Sequence, residues 1–152
     1  MLTVSLCAIM PRAGGAKSKA VQPLLEDYTT RLSRYAACES RLDETEAAFF
    51  DWLDKQAART PVFLVLLDSR GKQLSSEEIA EAIGRVRDGG TQRIVFAIGP
   101  ADGWSDDARR RANLTLAFGR ITLPHQLARI VLVEQVYRAF TILAGHPYHS
   151  GH

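Results

Sequence analysis

The stretch that decides the fold is Gly119 to His149, which reads GRITLPHQLARIVLVEQVYRAFTILAGHPYH. It predicts a short strand from Arg120 to Leu123, a helix of about five turns beginning at Pro124, and a rigid tail after Gly145. Proline suits the first position of a helix because its missing N–H would have no partner there. Glycine suits the left-handed residue that ends a helix.

Apolar side chains occupy most of the circumference of this predicted helix. From Leu127 to Leu143 five polar residues interrupt them: Arg129, Glu134, Gln135, Arg138 and Thr141. A helix that is apolar nearly all round is buried nearly all round. Since one sheet cannot cover both sides, we expect one face on the sheet and another on a partner, most simply a second copy of the chain.

The start of the helix lacks a conventional cap. Neither Leu123 nor the residues beside it place a side-chain oxygen where Ser, Thr, Asp or Asn would accept from the first-turn amides. Those N–H groups need another partner. Water, a carbonyl group or a bound small molecule could each provide it.

Composition indicates one globular domain spanning residues 1–152. The chain is 46% hydrophobic and 24% charged, with a net charge of +2. It contains no apolar run long enough to span a bilayer, and the N-terminus lacks the positive lead of a signal peptide. Cys7 and Cys38 are too few for a disulfide framework. We therefore expect a cytoplasmic protein with free, structural thiols.

The rest of the chain alternates strands with helices, which predicts the α/β class with a mainly parallel sheet flanked by helices. Val62 to Asp68 is typical of a central strand covered on both faces, and Ser75 with Glu78 forms a capping box. The expected strands are Leu2–Ile9, Cys38–Glu44 (at an edge), Val62–Asp68, Arg93–Gly99 and Leu114–Leu123. The expected helices before the last are Lys19–Arg34, Ala47–Arg59, one from Ser75 to Gly89-Gly90, and a short one opening at Ser105.

Three glycine-containing loops follow the predicted strands, at 67–71, 99–104 and 119–124. Ligands of open parallel sheets gather beyond the carboxyl ends of the strands. Turn chemistry alone could explain any single loop, but three convergent loops favour a binding site. No GxGxxG follows the first strand and no GxxxxGK[ST] occurs, which disfavours ordinary dinucleotide and nucleoside-triphosphate sites. The pair Gly14-Gly15 is a weak signal.

Other candidate sites are weaker. His125, His146 and His149 match no zinc spacing and lack nearby Cys or acidic ligands, so we expect no metal. The sequence shows no recognisable Ser-His-Asp or Cys-His arrangement for nucleophilic catalysis. The run Arg109 to Arg111 favours a solvated helix face, with a polyanion-binding footprint as the alternative.

The C-terminal third resembles a known family. The matching segments are Gly99-Pro100 after a buried strand, Ile121 to Ile130, Glu134 to Ala139, and the ending His146 to His149. They closely resemble the ribosomal large-subunit pseudouridine methyltransferase H family, of the SPOUT class. The resemblance covers essentially the whole chain by length and element order. It implies a homodimer whose final helix threads a preceding loop in a deep trefoil knot.

The resemblance also implies an activity and a site. The family methylates N3 of a pseudouridine in 23S rRNA on the assembled ribosome, with S-adenosylmethionine as cofactor. Tyr148, His149 and Arg138 match positions associated with rRNA binding or catalysis. The implied cofactor residues are Leu67, Gly99, Gly119, Arg120, Ile121, Thr122, Leu123 and Pro124.

Three departures from the family pattern affect the RNA side and one loop. Ser150 stands where the family tail continues with Arg. The loop from Ile98 to Gly103 replaces a Gly-Gly-Pro-x-Gly sequence, and Met10-Pro11-Arg12 replaces a Gly-Lys pair. The alternative to an enzyme is a non-catalytic RNA- or ribosome-binding dimer of the same fold. Another small-molecule α/β enzyme is a third option.

Methyl transfer at this nitrogen needs a proton acceptor. The N3–H lies between two carbonyl groups and must lose its proton before or during attack. We expect His149 to be the base, because histidine exchanges protons most readily near neutral pH. Tyr148 or a ribosomal group is the alternative.

Overall fold

A computed structural model describes residues 2–11 and 19–150 and shows a five-stranded parallel sheet in the order β2-β1-β4-β3-β5. The predicted α/β class is confirmed. The strands are β1 (Thr3–Ile9), β2 (Ala37–Asp43), β3 (Val62–Gln73), β4 (Arg93–Ile98) and β5 (Leu114–Ala117). The helices are α1 (Gln22–Leu32), α2 (Glu46–Ala57), α3 (Ser76–Asp88), α4 (Asp106–Arg111) and α5 (His125–Leu143). Gly14, Gly15 and Arg12 lie outside the described residues.

Helices cover the sheet on both faces. Side chains alternate along a strand, and on β4 Ile94, Phe96 and Ile98 join one buried cluster while Val95 and Ala97 join another. The first cluster contains residues of α1, α3 and α5, and the second contains residues of α2 and α4. The nearly continuous apolar runs of β3 and β4 follow from this two-sided burial.

Several helix ends have the capping residues that the sequence predicted. Ser75 and Glu78 form the predicted capping box of α3, and Ser105 caps α4 through Ala108 N–H. Gly145 has a φ of 71°, which is the left-handed conformation expected after α5. β2 lies at the sheet edge, as predicted for the Cys38 segment.

Helix α5 packs between α1 and α3 on one face of the sheet. Its buried side chains include Leu132, Val133, Val136 and Phe140, whereas Leu127 is 49% exposed. The chain therefore covers more of this helix than the sequence suggested, because two helices of the same layer flank it.

The predicted strand at Arg120–Leu123 is wrong, and so is the extension of β5 to Leu123. β5 ends at Ala117. β5 lies at the edge of the sheet, and β3 is its neighbour there. The last paired residues are Gln73 of β3 and Ala117 of β5, so residues after Ala117 have no strand to pair with. Gly119, with a φ of 95°, turns the chain. Pro124 is the N-cap, and the first helical residue is His125.

β3 runs beyond its predicted end at Asp68. Leu67 and Lys72 both lie opposite Leu116, so residues 68–71 form an excursion between two paired segments. Gly71 makes this possible, because a Cβ there would come within 2.7 Å of Leu116 N. The apolar run that ends at Leu67 could not reveal the polar continuation.

The two cysteines are free thiols, as predicted, with Cys7 buried and Cys38 partly buried. Burial raises the pKa of the Cys7 thiol far above its ordinary value and that of Cys38 to about 11. Both thiols therefore stay protonated and unreactive near neutral pH. Over residues 2–11 and 19–150, no helix has the length and apolar character to span a membrane.

Candidate active site

A cavity of about 790 Å³ opens where the first paired segment of β3 and the strands β4 and β5 end and α5 begins. Its walls are the three loops at the carboxyl edge of the sheet, together with the first turn of α5. The three loops predicted to converge therefore do so. The lining residues are Leu67, Asp68, Ser69, Arg70, Ile98, Gly99, Pro100, Ala101, Asp102, Gly103, Trp104, Arg109, Leu116, Ala117, Phe118, Gly119, Ile121, Thr122, Leu123, Pro124, His125 and Ala128.

Trp104 joins the loop after β4 to the end of the first β3 segment. Its indole Nε1–H donates to the Leu67 carbonyl over 3.0 Å. The ring packs so closely on Gly99 that a Cβ at that position would lie 2.7 Å from Nε1. Gly99 is therefore needed so that Trp104 can lie against the strand end. Phe49 and Phe50 also pack against the indole ring.

Arg109 makes a second connection between the same two loops. Its Nη1 donates to the Trp104 carbonyl over 2.6 Å and to Asp68 Oδ2 over 3.3 Å, and its Nη2 pairs with Asp106. The Asp68 side chain is only 6% exposed, and its Oδ1 accepts from the backbone N–H of Arg70. The prediction of a solvated face is thus wrong for Arg109, which lines the cavity.

The neighbouring arginines of α4 behave differently. Arg110 is exposed and pairs with Asp107, which agrees with the solvated face. Arg111 lies over the Phe50 ring at 4.4 Å and pairs with Asp54 of α2. The run thus divides into one cavity residue, one surface residue and one packing residue.

The third loop is tied to the second through α5. His125 Nε2–H donates to the Gly99 carbonyl over 2.5 Å. Among the described residues, no N-cap side chain bonds to the first turn of α5, as the sequence predicted. The positive end of the helix therefore borders the cavity without a capping side chain at Pro124.

Seven of the eight predicted cofactor residues line the cavity: Leu67, Gly99, Gly119, Ile121, Thr122, Leu123 and Pro124. Arg120 is exposed and outside the lining. Arg120 directly follows Gly119, whose φ of 95° turns the chain.

The predicted catalytic residues Arg138, Tyr148 and His149 lie together where the tail folds back on α5, and with Glu134 they form the tail cluster. Arg138 donates to Glu134 over 2.7 Å and lies 4.9 Å above the Tyr148 ring. Tyr148 Oη–H donates to Glu134 Oε2 over 2.8 Å, and its ring meets Tyr137 edge to face. Tyr28 of α1 also contacts the Tyr148 hydroxyl, at 3.3 Å.

This environment sets the protonation of the cluster. Burial acts to raise the pKa of Glu134, but the hydrogen bonds from Arg138 and Tyr148 outweigh it and the pKa is lowered. Burial and the contacts with Tyr28 and Glu134 raise the pKa of Tyr148 well above its usual value. Tyr148 is therefore a neutral phenol that donates to a carboxylate, which makes it a poor base.

Arg138 also fixes the tautomer of His149. Its Nη1 lies 2.9 Å from Nδ1 of the imidazole. Since a guanidinium can only donate, Nδ1 is the acceptor and carries no proton. The other nitrogen, Nε2, faces Glu77 of α3 at 3.5 Å. The tail is thus held between α3 and α5.

The cavity and the tail lie at different levels of α5. His125 borders the cavity, and Arg138 follows thirteen residues later on the same helix. At 1.5 Å per residue, about 20 Å of helix axis separates them. None of Arg138, Tyr148 and His149 lines the cavity. One chain by itself therefore does not bring the two groups of predicted residues together.

Sequence reasoning placed Asp68, Trp104 and Glu134 in candidate segments but gave none of them a role of its own. Glu134 and Arg138 have the i,i+4 spacing of a helical ion pair, and that signal could have found Glu134. Nothing comparable links Asp68 with Arg109, which are 41 residues apart. Within the described residues, no group of three His, Cys, Asp or Glu side chains is placed to hold a metal ion.

Comparisons with known proteins agree with this geometry. The family described as "Predicted SPOUT methyltransferase" matches residues 8–149. The chain is 50% identical over 139 residues to the Ribosomal RNA large subunit methyltransferase H of Koribacter versatilis (strain Ellin345), covering 91% of this chain and 94% of that protein. It is 43% identical over 145 residues to the protein of the same name from Geobacter sulfurreducens, covering 90% and 94% respectively.

A solved structure has the same fold at low sequence identity. The probable methylase family protein from Haemophilus influenzae Rd KW20 superposes with a TM-score of 0.56 at 9% identity. The match covers 94% of this chain and 66% of that chain.

Proposed function

The chain belongs to the SPOUT methyltransferase family, and from this premise we propose that it methylates N3 of a pseudouridine in 23S rRNA. The methyl donor is S-adenosylmethionine and the substrate is the assembled ribosome in the cytoplasm. Two relatives named large-subunit rRNA methyltransferase H, matched over 90% or more of this chain, support the rRNA substrate. The observation that carries the proposal is the cavity formed by three loops at the start of α5.

The cavity fits the donor in size and in chemistry. Its volume of about 790 Å³ lies within the range of small-molecule sites. Apolar side chains such as Leu67 and Leu116 suit a nucleoside, while exposed backbone at Gly103 and Gly119 allows close approach. The uncapped start of α5 suits a carboxylate. Bound here, the donor supplies an electrophilic methyl group on a sulfonium.

The tail cluster accepts the N3 proton of the target base and stabilises the negative charge that develops on that base. His149 Nδ1 takes the N3 proton, and the N3 lone pair forms the new bond to the methyl carbon. The electrons of the broken carbon–sulfur bond stay on sulfur. Arg138 must first release Nδ1, and it then donates to a carbonyl oxygen of the target base, where the negative charge develops. Glu134 and Tyr148 hold Arg138 in reach.

A homodimer brings the two halves of the site together. The tail of one chain lies about 20 Å along α5 from the cavity of that chain, so the tail serves the cavity of a second copy. Accessible apolar side chains near the cavity support this arrangement, since Ile121 is 70% exposed and Leu127 is 49% exposed. Such residues are typical of surfaces that a partner covers.

The chain is also proposed to contain the trefoil knot of its family. Residues 68–71 leave the sheet between two segments that pair with the same residue, Leu116. An excursion of this kind, close to the loop that leads into α5, is consistent with a threaded connection. Knots are rare because most connections do not pass through loops, so this feature needs its own test by tracing the path in a crystal structure.

Methyl transfer to ribosomes tests the activity. Ribosomes that lack the modification are incubated with the purified protein and S-adenosylmethionine carrying a tritiated methyl group. We expect label in 23S rRNA at N3 of a pseudouridine, located by nuclease digestion and mass spectrometry. Binding of ribosomes without label would instead indicate a non-catalytic binding protein. Label at another atom would refute the proposed specificity.

A further inference from the structure

We infer that Arg109 is a positioning residue of the methyl-donor cavity, acting through the end of β3 and the loop after β4. The inference rests on the proposed function and adds a residue that holds the donor site in shape. The observations are the two connections made by Arg109, one to Asp68 and one to the Trp104 carbonyl.

The connections of Arg109 join two walls that are distant in sequence. Asp68 follows the first paired segment of β3, where the chain leaves the sheet, and Trp104 ends the loop after β4. The Trp104 indole also donates to Leu67. The two walls are therefore held at adjacent points by a neutral hydrogen bond and by a charge-assisted one, which is the stronger type.

The carboxylate partner is protected from water. Asp68 is 6% exposed and Arg109 is 22% exposed at the side chain. A pair in such a setting is screened less than a surface pair. Removing the guanidinium would leave a nearly buried carboxylate without its ion-pair partner, which favours movement of residues 68–71 out of the cavity wall.

Arg110 offers a matched comparison within the same helix. Both arginines pair with an aspartate three residues earlier, Asp106 for Arg109 and Asp107 for Arg110. Arg110 is 70% exposed, and its ion pair lies outside the cavity lining. The two positions therefore share residue type, helix and local ion pair, and they differ in the contacts to Asp68 and Trp104.

The test is equilibrium binding of S-adenosylmethionine by calorimetry, with steady-state methylation of ribosomes. For Arg109→Ala we expect the Kd for the donor and its KM to rise about 10-fold or more. The kcat at saturating donor and the KM for ribosomes should stay within about 3-fold. Arg109→Lys keeps one charged contact and should give an intermediate Kd. Arg110→Ala should bind the donor as the wild type does.

Asp68→Asn separates positioning from direct contact with the donor. If Arg109 acts through Asp68, this variant also weakens donor binding, and combining it with Arg109→Lys adds little further loss. If Asp68→Asn binds normally while Arg109→Ala is weak, the contact with Asp68 does not hold the cavity in shape and the inference is overturned. Should Arg109→Ala fail to fold, Arg109→Lys and Asp68→Asn provide the same comparison.

The outcome also separates this inference from the proposed function. Folded variants of Arg109 and Asp68 with wild-type affinity would overturn the positioning role alone. A wild-type protein that binds no donor would overturn the proposed function and the inference with it.

Discussion

Arg138 donates a hydrogen bond of 2.9 Å to Nδ1 of His149, and this contact decides which imidazole nitrogen carries the proton. A guanidinium has no lone pair to offer, so Nδ1 is the unprotonated nitrogen of the ring. The same arginine is held by Glu134 on its other side. In the proposed mechanism His149 thus starts with an unprotonated Nδ1, and its lone pair becomes available once Arg138 turns to the substrate.

Removing the imidazole of His149 should slow the chemical step. We expect the single-turnover rate of methyl transfer for His149→Ala to fall by about 10² or more, the usual contribution of a positioned base. Ser150→Ala changes the adjacent residue of the tail and should keep the rate. A His149→Ala protein that reacts as fast as the wild type would remove His149 from the proton transfer.

The ion pair of Glu134 should make the tail sensitive to acid. The pKa of Glu134 is lowered below the ordinary value of 4.5 in the folded protein. A lowered pKa contributes stability above the unfolded value, and this contribution is lost as the pH falls through the folded value. The difference in Tm between wild type and Glu134→Gln should therefore be largest near pH 7 and shrink below pH 4.5. A difference that grows in acid would contradict the assignment.

Gly71→Ala should disrupt the sheet beside the cavity. Its Cβ would lie 2.7 Å from Leu116 N, a backbone atom that cannot move without separating β3 from β5. We expect the free energy of unfolding to fall by about 1–3 kcal/mol, measured by denaturant titration. Gly89→Ala is the control, since that residue has a φ of −77° and its Cβ would meet Arg85 O at 3.2 Å. Equal losses in the two variants would refute this explanation.

Trp104→Phe tests the indole hydrogen bond apart from the ring packing. The phenyl ring keeps much of the contact with Phe49 and Phe50 but leaves the Leu67 carbonyl without its donor. We expect a loss of about 1 kcal/mol in the free energy of unfolding, together with weaker donor binding in calorimetry. Trp52→Phe changes the other tryptophan, outside the cavity lining, and should leave donor affinity unchanged. Equal donor affinity in Trp104→Phe and wild type would show that the bond has no role in the site.

The position of the cavity could be predicted because it follows from topology. In a parallel sheet all strands run toward the same edge, so the segments that follow Leu67, Ile98 and Ala117 lie at one edge of this sheet. Seven of the eight residues assigned from the family resemblance do line that edge. The exception is Arg120, which follows the turn at Gly119 and is exposed.

The connections that shape the cavity could not be predicted in the same way. A pair such as Asp68 and Arg109 depends on the excursion at 68–71, and that excursion depends on Gly71 reaching the Leu116 backbone. No local pattern encodes such a meeting. The tail cluster could be predicted in part. The spacing of Glu134 and Arg138 is a local signal, whereas the contact of Tyr148 with Tyr28 of α1 is not.

The distance between the two ends of α5 determines which subunit supplies each part of a reaction centre. In the proposed dimer each reaction centre combines the pocket of one polypeptide with the C-terminal segment of the other. A subunit that is defective in its C-terminal segment still has an intact pocket, which can combine with the intact C-terminal segment of the other subunit. Two inactive variants, damaged at opposite ends of the helix, would then recover turnover when co-expressed, and the hybrid would carry one working centre out of two.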